Sequence, residues 1–110
     1  MALAHWTVEI DSDGLAWVGL DVAGKSVNVL TREVLAEMAT VADQLEGNSS
    51  ITGMALFCGK DQGFIYGADI NEFSVLKSEE DVAALLNEVH ATFDRFADLP
   101  FPTVAGVVGF

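Results

Sequence analysis

The stretch Gly59 to Phe73, GKDQGFIYGADINEF, holds the residues best suited to chemistry. Its glycines Gly63 and Gly67 permit tight backbone turns, and Gly67-Ala68 stands just ahead of Asp69-Ile70-Asn71-Glu72. That order can leave free amide N–H groups at the start of a short helical turn. Such an amide binds an anion, or a carbonyl oxygen that is gaining charge. The same spacing fits a plain surface connection equally well. Asp69 and Glu72 have the residue types of an acid/base pair, although nothing in their spacing demands that role. The sequence contains no G-x-G-x-x-G, so a dinucleotide-binding turn lacks support.

Other reactive residue types have simpler explanations. Cys58, the sole cysteine, ends an apolar run and reads as an inert core thiol. It also rules out a disulfide framework and a cysteine-built metal site, and it points to a reducing compartment. His90, between Val89 and Phe93, reads as a packed or surface residue, and His5 has no nearby partner in sequence. No metal site is expected.

The 110 residues have the length of one domain, and 51% hydrophobic content gives ample material for a core. Acidic residues number 17 against five basic ones, for a net charge of -12. Such a surface repels nucleic acid and anionic membranes. No apolar stretch reaches the ~18 residues of a membrane span, and MALAHWTVEID lacks the basic and apolar regions of a secretory signal. A cytoplasmic protein without nucleic-acid partners is expected.

Elements that must position the loop alternate along the chain. HWTVEID and LAWVGLDV are rich in β-branched and aromatic residues, and Ser12-Asp13-Gly14 between them predicts an antiparallel hairpin. After the polar Gly24 to Asn28, Thr31 is placed to cap a helix whose apolar positions are Val34, Met38, Val41 and Leu45. Gly47-Asn48 closes it. Gly53 to Cys58 has no polar alternation and predicts a strand buried on both faces, running into the glycine loop. Ser78 caps a second helix with Val82, Leu85, Leu86, Val89, Phe93 and Phe96 as one apolar stripe. Pro100 and Pro102 end it, and Thr103 to Phe110 reads as another fully buried strand. The order β-β-α-β-α-β defines an α/β fold with helical crossovers between parallel strands. A buried last strand needs further neighbours, so the chain reads as the N-terminal piece of a larger domain.

At the loop the sequence resembles a known family. Phe64 to Phe73 looks like the F-x-x-G-A-D-I-x-E-[FM] segment of the enoyl-CoA hydratase/isomerase (crotonase) superfamily. Lys25 to Leu30 resembles its K-x-x-N-x-L loop, and Leu99 to Phe110 resembles its L-P-x-P-x-[IV]-A-x-[VI]-x-G-[FY] strand. The three occur in the family's order. Gly-Ala-Asp-Ile-Asn-Glu-Phe, with the Asp98-Leu99-Pro100 strand entry, is most similar to the hydratase region of bacterial fatty-acid oxidation complex α subunits.

The resemblance implies a crotonase-like fold, with residues 1–110 forming the N-terminal part of a domain that continues to a second oxyanion glycine and two glutamates. It implies that the backbone N–H of Ala68 is one of two donors to a thioester oxygen. Lys25, Ser26 and Val27, with Gly67, Ala68, Asp69 and Ile70, would lie along the coenzyme A moiety, Lys25 as a phosphate partner. Asn71 stands where many relatives carry lysine, a departure from the pattern. The implied reaction is hydration of a trans-2-enoyl-CoA, without metal or cofactor, coenzyme A being part of the substrate. Implied partners are an acyl-CoA and either further copies of the chain or a thiolase subunit, and an NAD-dependent dehydrogenase domain would follow in an α subunit. Two alternatives remain open at this point: another crotonase chemistry (isomerase, hydrolase or decarboxylase), or a non-catalytic acidic interaction module. On the resemblance, the 110 residues alone are expected to be inactive.

Overall fold

A computed structural model describes residues 3–24, 26–60 and 78–106. The chain begins with a hairpin, β1 (Trp6–Ile10) and β2 (Leu15–Leu20), paired antiparallel from Trp6↔Leu20 to Ile10↔Ala16. Asp11 builds its turn. One carboxylate oxygen accepts from the N–H groups of Asp13 (2.9 Å) and Leu15 (3.0 Å), and the other accepts from the indole N–H of Trp17. The Trp17 bond, followed by that of Leu15, holds the exposed Asp11 carboxyl below its ordinary 3.8. A lowered value means that the contact stabilises the hairpin above the ordinary carboxylate range and is lost as pH falls through the folded value, an effect that solvent keeps small.

Gly14 closes the turn at φ 86°, where an L side chain is strained, and a Cβ there would lie 2.7 Å from the Ser50 carbonyl oxygen. Gly14→Ala is therefore expected to lower stability by about 2 kcal/mol in a denaturant unfolding experiment.

α1 (Arg32–Glu46) starts where the Thr31 hydroxyl accepts the Val34 N–H at 3.1 Å and stops at Gly47. Its buried face is Val34, Met38, Val41, Ala42 and Leu45, the predicted spacing with Ala42 added. The Trp6 indole N–H donates to the Val34 carbonyl at 3.0 Å, which fixes the hairpin against the helix. β3 (Gly53–Cys58) then pairs parallel to β2, from Leu15↔Gly53 to Leu20↔Cys58. α2 (Glu79–Ala97) starts with the Ser78 hydroxyl accepting the Asp81 N–H. β4 (Thr103–Ala105) follows, parallel to β3.

The sheet order β1-β2-β3-β4 moves both crossovers the same way, and right-handed connections then place both helices on one face. α1 and α2 indeed touch, and Arg95 of α2 pairs with Asp43 and Glu46 of α1. The Glu46 bond, then that of Asp43, raises the Arg95 pKa further. The core lies between α1 and the face of the sheet that carries Trp6, Ala16, Val18, Leu20 and Met54.

This one-sided layering corrects the expectation that β3 and the last strand are buried on both faces. Only Gly53 and Met54 of β3 are buried, and Phe57 is exposed. Alternation places Trp17, Ala55, Phe57 and Val104 on the face away from the helices, and Trp17, Phe57 and Val104 are all exposed there. β4 is exposed throughout, with Val104 at 64%, and residues 107–110 of the predicted strand lie outside the described residues. The α2 stripe departs in the same way: Phe96 is buried, while Val82, Leu86 and Phe93 are exposed, because α2 leans on α1 and no layer among the described residues covers its other side.

Candidate functional site

Ligands of parallel α/β sheets bind outside the carboxyl ends of the strands. Here β2 and β3 end side by side, since Leu20 pairs with Cys58. The Gly59 N–H continues the ladder to the Leu20 carbonyl at 2.9 Å. From these two exits run the segment towards Ser26 and Val27, and the loop towards Gly67 to Ile70.

Polar bonds hold the exits together. Asn28 is fully buried: its Oδ1 accepts the Val22 N–H at 2.9 Å, and its Nδ2 donates to the Leu20 carbonyl at 2.9 Å and to Cys58 Sγ at 2.8 Å. The Lys60 N–H also donates to Cys58 Sγ, at 3.3 Å, and Lys60 Nζ pairs with Asp21 at 2.5 Å. Cys58 is thus a half-buried acceptor at the strand end rather than a core thiol.

Of the site residues expected from the sequence, Ser26 is exposed and Val27 half-buried beside the β2 exit. Lys25, Gly67, Ala68, Asp69 and Ile70 lie outside the described residues, as do Asn71 and Glu72. His90 is exposed on α2, as a surface residue would be.

Gly19 to Ser26, GLDVAGKS, also has the G-x-x-x-x-G-K-S spacing of a phosphate-binding P-loop. The fold does not use it that way. A P-loop runs from a strand directly into a helix whose N-terminus meets the phosphate, whereas Gly19 lies inside β2 and α1 starts only at Arg32.

His5 gains partners that its sequence neighbours do not reveal. Its Nδ1 accepts the Ala23 N–H at 3.0 Å, so the proton sits on Nε2, which donates to Glu33 at 2.6 Å. Glu37 accepts the N–H groups of Ala4 and His5. The three side chains bring their ligand atoms within 4.8 Å of one another. A metal on Nε2 would require the proton on Nδ1, facing the Ala23 N–H, so the cluster works as a staple between the chain start, α1 and the β2 exit. The only hint in the sequence is the four-residue spacing of Glu33 and Glu37 on one helix face.

Comparison with solved structures decides the fold. An enoyl-CoA hydratase from Shewanella pealeana superposes with a TM-score of 0.86 over 97% of this chain and 40% of its own, at 23% identity. An enoyl-CoA hydratase from Mycobacterium smegmatis gives 0.84 over 93% and 39%, at 22% identity. The chain has the crotonase fold. Within that fold it supplies the β-β-α-β-α-β run. Its sequence resembles the fatty acid oxidation complex subunit alpha of Idiomarina loihiensis, at 35% identity over 94% of this chain, and that of Shewanella halifaxensis, at 33% over 88%. The chain spans about 15% of the length of these curated relatives. No family model matches. In the crotonase fold of this chain, the candidate site is the pair of strand exits joined by Asn28, Cys58, Asp21 and Lys60.

Proposed function

We propose that the chain is the N-terminal part of an enoyl-CoA hydratase domain within a longer fatty-acid oxidation protein. The observation that carries this reading is the likeness to fatty acid oxidation complex alpha subunits across 94% of the chain. The crotonase fold and the G-A-D-I loop leaving β3 support it. The reaction adds water across the 2,3 double bond of a trans-2-enoyl-CoA, hydroxyl to C3 and proton to C2. The Ala68 N–H donates to the thioester oxygen as it becomes enolate-like, and a preorganised donor favours that state over the ground state. Ser26, Val27, Gly67, Asp69 and Ile70 line the coenzyme A moiety, and Lys25 meets its phosphates.

A second oxyanion glycine and two glutamates acting on the water follow later in the longer chain. The uncovered sheet face and the uncovered side of α2 fit such a continuation. No metal or cofactor enters the hydration step, and NAD would serve only a further dehydrogenase domain. The partners that fit are further copies of the chain or a thiolase subunit, in the cytoplasm. Among the described residues no helix is long and apolar enough to cross a membrane.

The test is loss of the enoyl-thioester absorbance of crotonyl-CoA, measured with the longer protein and with the 110-residue chain. Activity in the longer form alone is the expected result. Binding of CoA thioesters without hydration would move the reaction to another crotonase chemistry, and no binding would overturn the reading.

A further inference from the structure

The His5 side chain is only 10% exposed, so its two ring nitrogens need partners inside the protein. Both have one. Nδ1 accepts the N–H of Ala23, just past the end of β2, at 3.0 Å, and the Nε2 proton goes to Glu33 of α1 at 2.6 Å. Glu37, one turn further along α1, accepts the backbone N–H groups of Ala4 and His5 and brings a second carboxylate to the ring. From the β2 exit the charged neighbour is Asp21, whose N–H donates to the His5 carbonyl at 2.8 Å and whose carboxylate is held by Lys60. β1 itself carries Glu9, opposite Trp17 further along the sheet.

The bond to Ala23 exists only in the neutral ring. Protonation puts a second proton on Nδ1, where it would meet the Ala23 N–H donor to donor. The other nitrogen gains by the same event, because its bond to Glu33 becomes charge-assisted on both sides. We propose that His5 is a pH-sensitive latch: the neutral ring ties α1 to the turn after β2, and the protonated ring stays with Glu33 and Glu37 and releases Ala23. The release is confined. The Asp21 N–H remains on the His5 carbonyl and the Val22 N–H on the buried Asn28, so the freed backbone begins at Ala23. Gly24 follows at φ 77°, with nothing within 4 Å of where a Cβ would stand, and gives the backbone a place to turn. The freed turn leads to Ser26, exposed, and Val27, half-buried. The shape of the β2 exit therefore depends on pH, whatever ligand the site takes.

The test is hydrogen exchange in the longer protein, read at single amides by mass spectrometry at about pH 7.5 and about pH 5.5, a window that spans histidine's ordinary range and lies above that of carboxylates. Protection of the Ala23 amide, corrected for the intrinsic effect of pH on exchange, is expected to fall about tenfold or more at the lower pH. The Gly59 amide, bonded to the Leu20 carbonyl, should keep its protection. In His5→Gln, whose side chain accepts and donates without taking up a proton, the pH dependence at Ala23 should vanish. The latch is overturned if the Ala23 amide is unprotected at the higher pH, if its protection is the same at both, or if it is lost together with that of Gly59. A pH dependence that persists in His5→Gln overturns it too. If that variant does not fold, the unmodified protein decides alone, through Ala23 against Gly59.

Discussion

Ala68→Pro in the longer protein is expected to lower kcat for crotonyl-CoA hydration by about 10²- to 10³-fold, because losing one oxyanion donor costs about 3 kcal/mol of transition-state stabilisation. Proline is the informative change, since the donor proposed for Ala68 is a backbone N–H that no side-chain substitution removes. Ala68→Gly keeps the N–H, loses only a methyl group, and should stay within a few-fold of the unmodified kcat. The thioester oxygen gains its charge along the reaction, so KM should move much less than kcat in the proline variant. Measuring CoA-thioester binding beside turnover separates loss of the donor from loss of the loop. A proline variant with undiminished kcat would remove Ala68 from the oxyanion site. Asp69→Asn and Glu72→Gln provide the contrast, because neither carboxylate is assigned the chemistry.

Much of this architecture can be read from short-range signals. Ser12-Asp13-Gly14 specifies the hairpin because an Asp and a positive-φ glycine are what a tight turn needs, and the structure puts Gly14 at φ 86°. Thr31 and Ser78 mark the helix starts because a hydroxyl at that position satisfies an otherwise orphaned N–H, as both do here. Burial is different. The run from Gly53 to Cys58 is equally apolar whether one or both faces are covered, and the structure covers one. The α2 stripe has the spacing of a buried face, yet spacing cannot say which layer arrives to bury it. Side-chain partnerships over long separations were the least legible. His5 meets Glu33 and Glu37 only after α1 folds back on the hairpin, and the Asn28–Cys58 bond joins residues 30 apart. Asn28 did leave a trace, as a lone amide among the apolar residues Val27, Val29 and Leu30.

Leu45→Ala and Leu86→Ala should separate sharply in the 110-residue chain, although both remove the same atoms from a helix. Leu45 is 1% exposed, between α1 and the sheet, and its truncation is expected to cost about 3 kcal/mol through lost transfer energy and the cavity left behind. That is a large part of the roughly 5–15 kcal/mol that holds a domain together. Leu86 is 49% exposed on α2, and the same change there should cost less than about 0.5 kcal/mol. Urea midpoints at an unchanged slope read both values. In the longer protein the Leu45 cost should stay where it was, because its neighbours all lie within residues 1–110. The Leu86 cost should rise to about 2 kcal/mol or more, because Val82, Leu86 and Phe93 have helical spacing and the proposed continuation of the domain would cover them. A Leu86 cost that stays small in the longer protein would mean that this stripe faces solvent in the assembled domain too. The likeness to α subunits would then describe the β1 to β3 layer with α1, and the outer side of α2 would have to be explained separately.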